Sequence, residues 1–506
     1  MAEAWEQASW ADYSDVSRTL HSLSAEEAER IAAIVDEVSS EFIKYEIELA
    51  LQQTGYLIYD GDLTGRPVSS TSTSYPDTAF GYMGDTIQLG YQSALVSLHS
   101  PTYGRLWLSN RLHPGDTVSA TQAQALVAAA ETRTGVYPRR RPELVMLRIT
   151  EAEVAYKELA EKAGQSAERL YEAQKKVTAT TQMLNDYKRQ VFAFENEYRR
   201  EQRQPTRHCK LTRARRSLAT YQKRLPRNQR TVTIAEQRTS AWIARQEQAL
   251  ANLEGLRQHH KQLQQHNANN THPVRIVLRL DAGFASSENL HWLIEMGYDL
   301  YTKSRSTSVR DSLIKAVSAE SHWQQVGRNA WLTAWSQTTV DSYFLYPLNV
   351  ALAAYQLGDT VRHAVFLHYG SEDATTDLDS WFHTYNGRQT IEAGIKEGKG
   401  VFQMHHLKVR SPHALMLQEH FAAFSANFVR FSAAWFVRHQ YQLPSTYMDS
   451  VKQMVSVGAH TSAWVHRRGD SWFLTFTEHS FYAGHSLYLG HGPIQLPLPL
   501  FSNFHF

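Results

Sequence analysis

The spacing of apolar residues changes several times along the chain and divides it into segments of different predicted structure. Residues 1–55 carry apolar residues at helical spacing behind Ser24 and two glutamates, which predicts a capped amphipathic helix. The run YLIYD then predicts a strand, and GDLTGRP after it predicts a loop. QLGYQSALVSLH and GRLWLSNRLH predict two more strands, and TQAQALVAAAETRTG predicts a helix that ends before Gly135.

The middle of the chain, residues 139–270, is almost free of glycine and has a helical pattern throughout. Its apolar positions alternate spacings of three and four, as in a coiled coil, at Leu170, Ala173, Val177, Thr180, Leu184, Tyr187, Val191, Phe194 and Tyr198. Pro205 and Pro226 are expected to interrupt this helix. A second helix is predicted from about Val232 to His266, with leucines at 250, 253, 256 and 263. The simplest structure for this segment is a long antiparallel hairpin.

Strand character returns after this helical segment. PVRIVLRL predicts a strand, ASSENLHWLIEMG a helix that ends at Gly297, and YDLYTKS another strand. A strand, a helix and a strand in this order indicate two parallel strands. Residues 311–370 have a mixed pattern, and Leu378 to His439 is strongly helical. The last 65 residues predict short aromatic strands and a proline-rich tail.

Charge divides the chain in the same places. The net charge is +2, but residues 139–270 hold 27 basic and 14 acidic side chains, whereas the remainder holds 25 basic and 36 acidic ones. Ten cations and no acid lie in one run: Arg203, Arg207, Lys210, Arg213, Arg215, Arg216, Lys223, Arg224, Arg227 and Arg230. This run, in or near the turn of the predicted hairpin, is either a phosphate-binding surface or a solvated helix face.

Composition excludes several classes of protein. Cys209 is the single cysteine, which excludes an internal disulfide, a CxxC redox pair and a cysteine-rich zinc site. No apolar run reaches the length of roughly 18 residues that a membrane helix needs. The first residues, MAEAWEQASWADYSD, lack the basic and apolar regions of a signal peptide. We therefore expect a cytoplasmic protein.

Acidic residues follow two of the predicted strands. Asp60 and Asp62 lie in Tyr-Asp-Gly-Asp-Leu-Thr-Gly, and Asp281 lies in Leu-Asp-Ala-Gly-Phe. Carboxylates at the ends of neighbouring strands, with a third from a helix, could hold two Mg²⁺ ions for phosphoryl transfer. Aspartate beside glycine is also ordinary turn chemistry.

A third block contains polar residues at helical spacing. Tyr385, Arg388, Glu392 and Lys399 are separated by steps of three, four and seven, which would place them on one face of a single helix. A glutamate could bind a metal ion there, and the two cations could bind phosphate. A solvated face with salt bridges would show the same spacing.

The spacing Tyr-x2-Arg-x3-Glu-x6-Lys resembles the signature of the DDE transposases of bacterial insertion sequences. The segment from Leu280 through YDLYTKS is similar to the second-aspartate block of this family, and YLIYDGDLTGRP to the first. KVRSPHALMLQEHFAAFSANFVRFSAAW is similar to the helices after the glutamate. The resemblance covers residues 56–137 and 273–440, and residues 1–55 more loosely.

The resemblance implies an α/β fold with an RNase H-like core, in which a mixed sheet has helices on its faces. It implies a DNA transposase that cleaves and transfers strands at the ends of an insertion sequence. It also implies that three acidic residues hold two divalent ions, either Mg²⁺ or Mn²⁺. Asp281 and Glu392 carry over directly. The first acid is Asp62, which fits the Asp-x-Thr pattern of the family, or Asp60, which lies nearer the strand end. Arg388, Lys399 and Tyr385 would contact the DNA backbone.

The implied partners are double-stranded DNA, both terminal inverted repeats and target, and a second copy of the chain, because two ends must be joined. Arg213, Arg215 and Arg216 of the basic run are further candidates for DNA contact. The protein would act near the nucleoid of a bacterial cytoplasm.

The chain departs from the family pattern in two insertions. The first separates Asp62 from Asp281 and contains the helical hairpin; the second separates Asp281 from Glu392. Tryptophans of the second insertion could stack on an extruded base or pack in a core: Trp323, Trp331 and Trp335.

The predicted organisation has seven segments. They are a helical N-terminal region at 1–55, a first half of the core at 56–137, the hairpin at 138–272, the second-aspartate segment at 273–310, a strand-rich insertion at 311–370, core helices at 371–440 and a C-terminal region at 441–506. Three alternatives remain: a metal-dependent nuclease on the same fold, a catalytically inactive DNA-binding descendant of a transposase, and a structural coiled-coil protein.

Overall fold

A computed structural model describes most of the chain. The residues that it describes are 13–318, 320–339, 344–402, 404, 407, 409–438, 451–452, 455, 463–478 and 486–491. The chain forms two compact units, of which one comprises Met1–Arg139 with Asn270–Phe506 and the other comprises Arg140–Asn269. Of the helices in the described part, none combines the length and the apolar character that a membrane crossing requires.

The first unit contains eight of the ten α-helices and all of the strands that the structure describes. Its helices are α1 Tyr13–Ser22, α2 Ala25–Thr54, α3 Ala123–Thr134, α6 Ser287–Glu295, α7 Thr307–Ala316, α8 Leu378–Asn386, α9 Gln389–Gly400 and α10 Pro412–Arg438. Its strands are β1 Tyr56–Pro67, β2 Ala79–Met83, β3 Thr86–Leu98, β4 Leu106–Pro114, β5 Arg275–Leu280, β6 Asp299–Ser304, β7 Gln324–Gly327, β8 Ala330–Thr338, β9 Leu348–Leu357, β10 Thr360–Tyr369, β11 Ala463–Arg468, β12 Ser471–Phe476 and β13 Ser486–His491. The second unit consists of α4 Pro142–Arg200 and α5 Lys210–Asn269.

Ten strands form one mixed sheet in the order β2-β3-β1-β5-β6-β10-β9-β8-β7, with β4 paired to β3. Strand β3 is antiparallel to both β1 and β4, whereas β1, β5 and β6 run parallel to one another. The predicted α/β class with a mixed sheet and a long helical hairpin is therefore confirmed. The remaining described strands, β11 to β13, form a small antiparallel sheet of their own.

Several local predictions agree with the structure. The capping box at Ser24 is present, because the Ser24 hydroxyl accepts from the backbone of Glu27 and the Glu27 side chain accepts from the backbone of Ser24. The parallel pair β5 and β6, joined by α6, is also present. Gly135 ends α3 in the left-handed conformation, at a φ of 65° that glycine adopts without strain.

The predicted loop GDLTGRP is wrong, because β1 continues through it to Pro67. Strand β3 pairs with β1 from Tyr59 to Pro67 and thus provides backbone hydrogen bonds along the whole segment. Glycine fits at position 61 of the strand because a Cβ atom there would lie only 2.7 Å from the side chain of Leu280. Asp62 consequently lies on a strand rather than in a flexible turn.

The prediction of one helix across Tyr385 and Lys399 is also wrong. Helix α8 ends at Asn386, Gly387 caps it, and α9 begins at Gln389. The guanidinium of Arg279 reaches this junction and donates to the carbonyl oxygen of Thr384 over 3.0 Å. A Cβ atom on Gly387 would lie 2.2 Å from Arg279 Nη1, so glycine at this position leaves room for the guanidinium.

The second unit is a hairpin of two helices with 59 and 60 residues, each roughly 90 Å long at 1.5 Å per residue. The helices run antiparallel, since Glu153 contacts Arg257 near one end and Glu195 contacts Arg215 near the other. The predicted seam is present, and its buried positions include Ala173, Thr180, Leu184, Val191, Leu253, Leu256 and Leu263.

The predicted interruption of the hairpin at Pro226 is wrong. Helix α5 begins at Lys210, well before the predicted start at Val232, and passes through Pro226 without ending. Pro226 is exposed, so water can satisfy the backbone carbonyl that loses its helical hydrogen bond. Pro205, in contrast, lies in the turn between the helices.

The tryptophans of the second insertion are half-buried. Trp331 and Trp335 lie on β8, on the face opposite Leu332, which belongs to the core formed by β8, β9, β10 and α8. Trp323 precedes β7 and is also half-buried. A stacking role for these side chains stays a prediction.

Candidate active site

Two of the predicted acids lie side by side on neighbouring parallel strands. The parallel pairing of β1 with β5 ends at Gly61 and Leu280. Asp62 directly follows Gly61, and Asp281 directly follows Leu280. Parallel strands present their carboxyl ends at the same edge of a sheet, so the chain places two carboxylates there from positions that are far apart in sequence.

Helix α9 brings Arg388 and Glu392 to the same place. Arg388 Nη1 lies 3.3 Å from Asp62 Oδ2, and Arg388 Nη2 lies 2.7 Å from Glu392 Oε1. Arg388 is the N-cap of α9 and Glu392 is in its first turn, where a negative charge is favoured by the helix dipole. One guanidinium therefore bridges the first predicted acid and the third.

Asp281 is held in a tight turn after β5. Its Oδ1 atom accepts from the backbone N–H of Gly283 over 2.7 Å, and its carbonyl oxygen accepts from Thr302 Oγ1 over 3.2 Å. The nearest atom to a Cβ on Gly283 would be the hydroxyl of Ser119 at 2.7 Å. Glycine at this position thus allows the turn to pack against the short 3-10 helix Ser119–Thr121 before α3.

Asp60 has a different environment from Asp62. Its two oxygens accept from Arg279 Nε over 2.6 Å and from Arg279 Nη2 over 2.7 Å, and both side chains are buried. This bidentate pair neutralises Asp60 inside the sheet and uses both of its oxygens. Asp62, in contrast, is bonded through Oδ2 to a cation that Glu392 shares.

Lys399 and Tyr385 complete the predicted set. Lys399 Nζ donates to Thr64 Oγ1 on β1 over 2.9 Å, two residues beyond Asp62. Tyr385 is buried, and its ring makes an edge contact with Phe366, with a centroid distance of 5.0 Å. Burial raises the pKa of the Tyr385 hydroxyl, and Arg388 opposes that shift. The structure thus brings Asp62, Asp281, Tyr385, Arg388, Glu392 and Lys399 into one region.

Several side chains of this region have shifted pKa values. Burial raises the pKa of Asp62 to about 6; Arg388 acts against the rise, and Asp281 and Glu392 add to it. Burial also lowers the pKa of Lys399, and the nearby Arg66 lowers it further. Acids and cations therefore lie close together in a partly buried site, where an added ion or phosphate has a strong effect on each of them.

Lys303, near the end of β6, is a further cation of this region that was not predicted from the sequence. Its Nζ atom lies 4.7 Å from the ring centroid of Phe366 and 4.8 Å from that of Tyr385. Arg388 and Glu392 both influence its pKa, so it belongs to the same region. The sequence feature that could have indicated Lys303 is its position directly after YDLYT, the strand that follows the second-aspartate strand.

The predicted cations of the hairpin lie near its turn. Arg213 and Arg216 are exposed on α5, and Arg215 pairs with Glu195 over 2.7 Å. The part of the hairpin from residue 186 to residue 230 holds 14 basic and 4 acidic side chains, against 13 and 10 in the rest of residues 139–270. Most of the excess positive charge of this unit is therefore at its turn end.

In the described part of the chain, no three His, Cys, Asp or Glu side chains are close enough together to hold a metal ion without rearrangement. Arg388 supplies the positive charge between Asp62 and Glu392 instead.

Comparison with known proteins assigns no family. No protein-family model matches the chain, and no curated protein matches it. Among solved structures, the outer membrane protein VceC of Vibrio cholerae matches 84% of this chain and 99% of that chain, with 13% identity and a TM-score of 0.17. A TM-score this low carries no argument about fold or function.

Proposed function

We propose that the chain is a DDE-type DNA transposase, which cleaves DNA strands at the ends of a mobile element and joins them to a target. One observation carries the proposal: Asp62, Asp281 and Glu392 converge with Arg388 and Lys399 at the edge of the sheet. The spacing of these residues resembles the transposase signature, and their convergence is what that signature requires for phosphoryl transfer.

The strand order supports an RNase H-like core within this proposal. The path β4-β3-β1-β5-β6 has three antiparallel strands followed by two that run parallel to β1, with α3 before β5 and α6 before β6. That is the order of strands in the RNase H-like fold. Strands β7 to β10 would then be an addition to the β6 edge, and the helical hairpin an insertion between α3 and β5.

Asp62 is the better candidate for the first acid. Asp60 already receives two hydrogen bonds from Arg279 in the interior, and removing that partner would leave a buried charge without compensation. Asp62 is 14% exposed and adjoins Glu392 through a shared arginine. We therefore assign the first catalytic position to Asp62.

The residue types fit a hard divalent cation such as Mg²⁺ or Mn²⁺. Asp62, Asp281 and Glu392 would hold it through carboxylate oxygens. Burial, together with the charges of Asp281 and Glu392, raises the pKa of Asp62 although Arg388 lowers it, so an added cation would be favourable beside this carboxylate. Such an ion, when bound, would polarise a phosphodiester and favour deprotonation of a water or a 3′-hydroxyl. Arg388 would have to leave at least one of its two carboxylates.

The cations of the site have a complementary role. A guanidinium released from Asp62 or Glu392 can bind both non-bridging oxygens of a phosphodiester at once, and Lys399 Nζ beside Thr64 can donate to one of them as well. Their positive charge stabilises the additional negative charge of the pentavalent transition state, in which the attacking oxygen adds and the 3′-oxygen leaves. Tyr385 Oη lies near Arg388 and would orient that guanidinium towards the phosphate.

The turn end of the hairpin suits duplex DNA. Of the ten cations between Arg203 and Arg230, all in the described part of the chain, Arg203 and Arg215 form ion pairs with glutamates and Arg224 lies over the ring of Tyr221. The others have no acidic partner there, so each could displace a counterion from the DNA backbone. We propose that this surface binds DNA without reading its sequence and that two copies act together on two DNA ends.

The decisive experiment is cleavage of a duplex that carries the terminal repeats flanking the gene, in the presence of Mg²⁺. Wild type should release 3′-hydroxyl ends and join them to a target duplex, and Glu392→Gln should be slower by at least about a hundredfold. Glu48→Gln, on the exposed face of α2, is the matched control.

The outcomes separate the candidate functions. Cleavage without joining would make the chain a nuclease, and DNA binding without cleavage would make it an inactive relative. Full activity of Glu392→Gln would contradict the assignment of the site.

A further inference from the structure

We propose that Lys303 is a further substrate-binding residue, whose ammonium group contacts a phosphate oxygen of the bound DNA strand. This proposal rests on the proposed function, because it places the phosphate beside the acids of the candidate active site. Neither the signature spacing nor the three acids include this residue.

The sheet itself positions Lys303. Strand β6 is parallel to β5, and their register pairs Tyr301 with Arg279. Side chains alternate along a strand, so Lys303 is on the same face as Tyr301 and Arg279, the face on which Arg279 contacts α8. On the other side of β6, Lys303 pairs with Phe366 of β10. Three neighbouring strands therefore present Asp62, Asp281 and Lys303 at one edge.

Aromatic rings, rather than acids, surround the ammonium group. Lys303 Nζ lies 4.7 Å, 4.8 Å and 5.9 Å from the ring centroids of Phe366, Tyr385 and Tyr355. Within the residues that the structure describes, Lys303 forms no hydrogen bond and no ion pair. Ring faces attract a cation but offer no lone-pair acceptor and no counter-charge, so the ammonium group can still donate to an anion.

The charge of this lysine is maintained at a cost. Burial lowers the pKa of Lys303 to about 8; Arg388 lowers it further, and Glu392 opposes the shift. A half-buried lysine normally extends to water or pairs with a carboxylate, because a desolvated ammonium is unfavourable without a counter-charge. A phosphodiester in the site would supply the missing counter-charge without competing for Asp62 or Asp281.

A purely structural role is the alternative, in which Lys303 only fills space between the rings. The two roles differ in what the methionine variant does. Methionine has nearly the shape of lysine and also packs against aromatic rings, so Lys303→Met should preserve the packing and remove only the charge. Lys303→Arg preserves the charge. A structural role therefore predicts normal DNA binding for both variants.

The test measures the binding of a short fluorescent DNA duplex to the full chain, in EDTA, over a range of salt concentrations. Lys303→Met should bind about tenfold more weakly at low salt, and its slope of log affinity against log salt should fall by about one, as expected when one phosphate contact is lost. Lys303→Arg should retain the wild-type slope. Lys315→Met, which removes an exposed lysine of α7, is the matched control and should change neither quantity.

The outcomes distinguish this proposal from the proposed function. A wild-type slope for Lys303→Met, with a normal circular dichroism spectrum, overturns the role of Lys303 whether or not the protein cleaves DNA. If Lys303→Met misfolds, Lys303→Gln is measured in its place under the same criterion. A lower slope in a protein whose wild type never cleaves DNA supports the phosphate contact and overturns the transposase proposal instead.

Discussion

Replacing Asp62 by asparagine should stabilise the protein at neutral pH while it abolishes the proposed chemistry. The Asp62 carboxylate is largely buried, and its charge adds to those of Asp281 and Glu392. Burial is the chief reason that its pKa is raised to about 6, from an ordinary value of 3.8. Asparagine has the same shape and cannot ionise, so it avoids this penalty.

The magnitude follows from the pKa difference between the folded and unfolded states. A rise of roughly two units, at about 1.4 kcal/mol per unit, means that ionised Asp62 destabilises the fold by about 3 kcal/mol. Below about pH 4 the carboxyl is protonated in both states and costs nothing. The cost grows as pH rises and is complete above the folded-state pKa of about 6.

Asp62→Asn should therefore gain about 2 kcal/mol at pH 8, after a loss of part of the contact with Arg388, and gain nothing at pH 4. Urea unfolding in EDTA, followed by tryptophan fluorescence, measures the change. Eleven of the twelve tryptophans lie outside residues 140–269, so the signal reports on the unit that contains Asp62.

The matched control is Asp116→Asn, an exposed aspartate that should show no gain at either pH. If Asp62→Asn is no more stable than wild type at pH 8, or if it gains as much at pH 4, the electrostatic strain inferred for this carboxylate does not exist.

Three further predictions concern the cations. Arg388→Leu removes the charge between two carboxylates and should tighten Mn²⁺ binding about tenfold by calorimetry; weaker binding would contradict the competition inferred here. Arg279→Met leaves Asp60 buried without a partner and should cost about 3–5 kcal/mol in urea unfolding, so a loss below about 1 kcal/mol would refute that account of the pair. Charge reversal of Arg213, Arg215 and Arg216 should lower the salt slope of DNA binding by at least about two, because Arg215 is already paired with Glu195. An unchanged slope would exclude this surface from DNA contact.

Local patterns predicted much of the fold correctly. The capping box at Ser24, the seam of the hairpin and the parallel strands β5 and β6 all depend on residues close together in sequence. Each is set by side-chain periodicity or by one cap, which a single segment contains in full. The charge division between the two units is likewise a property of composition alone.

Other features depended on partners far away in the chain. GDLTGRP is a strand because β3 pairs with it, and the helix after Tyr385 breaks where Arg279 contacts the junction at Gly387. Neither β3 nor Arg279 can be recognised as a neighbour from spacing. Local propensity was overridden in both cases by a contact that forms only after the sheet has assembled.

The candidate site shows the same division. The sequence alone determined which residue types could bind metal and phosphate, because the spacing from Tyr385 to Lys399 and the two aspartate segments can be read from it directly. Only the tertiary structure decided that Asp60 is neutralised by Arg279 while Asp62 shares Arg388 with Glu392. It also placed Lys303 among aromatic rings beside them. The reason is physical: side-chain chemistry belongs to each residue, whereas burial and charge neighbours arise only when distant strands and helices pack together.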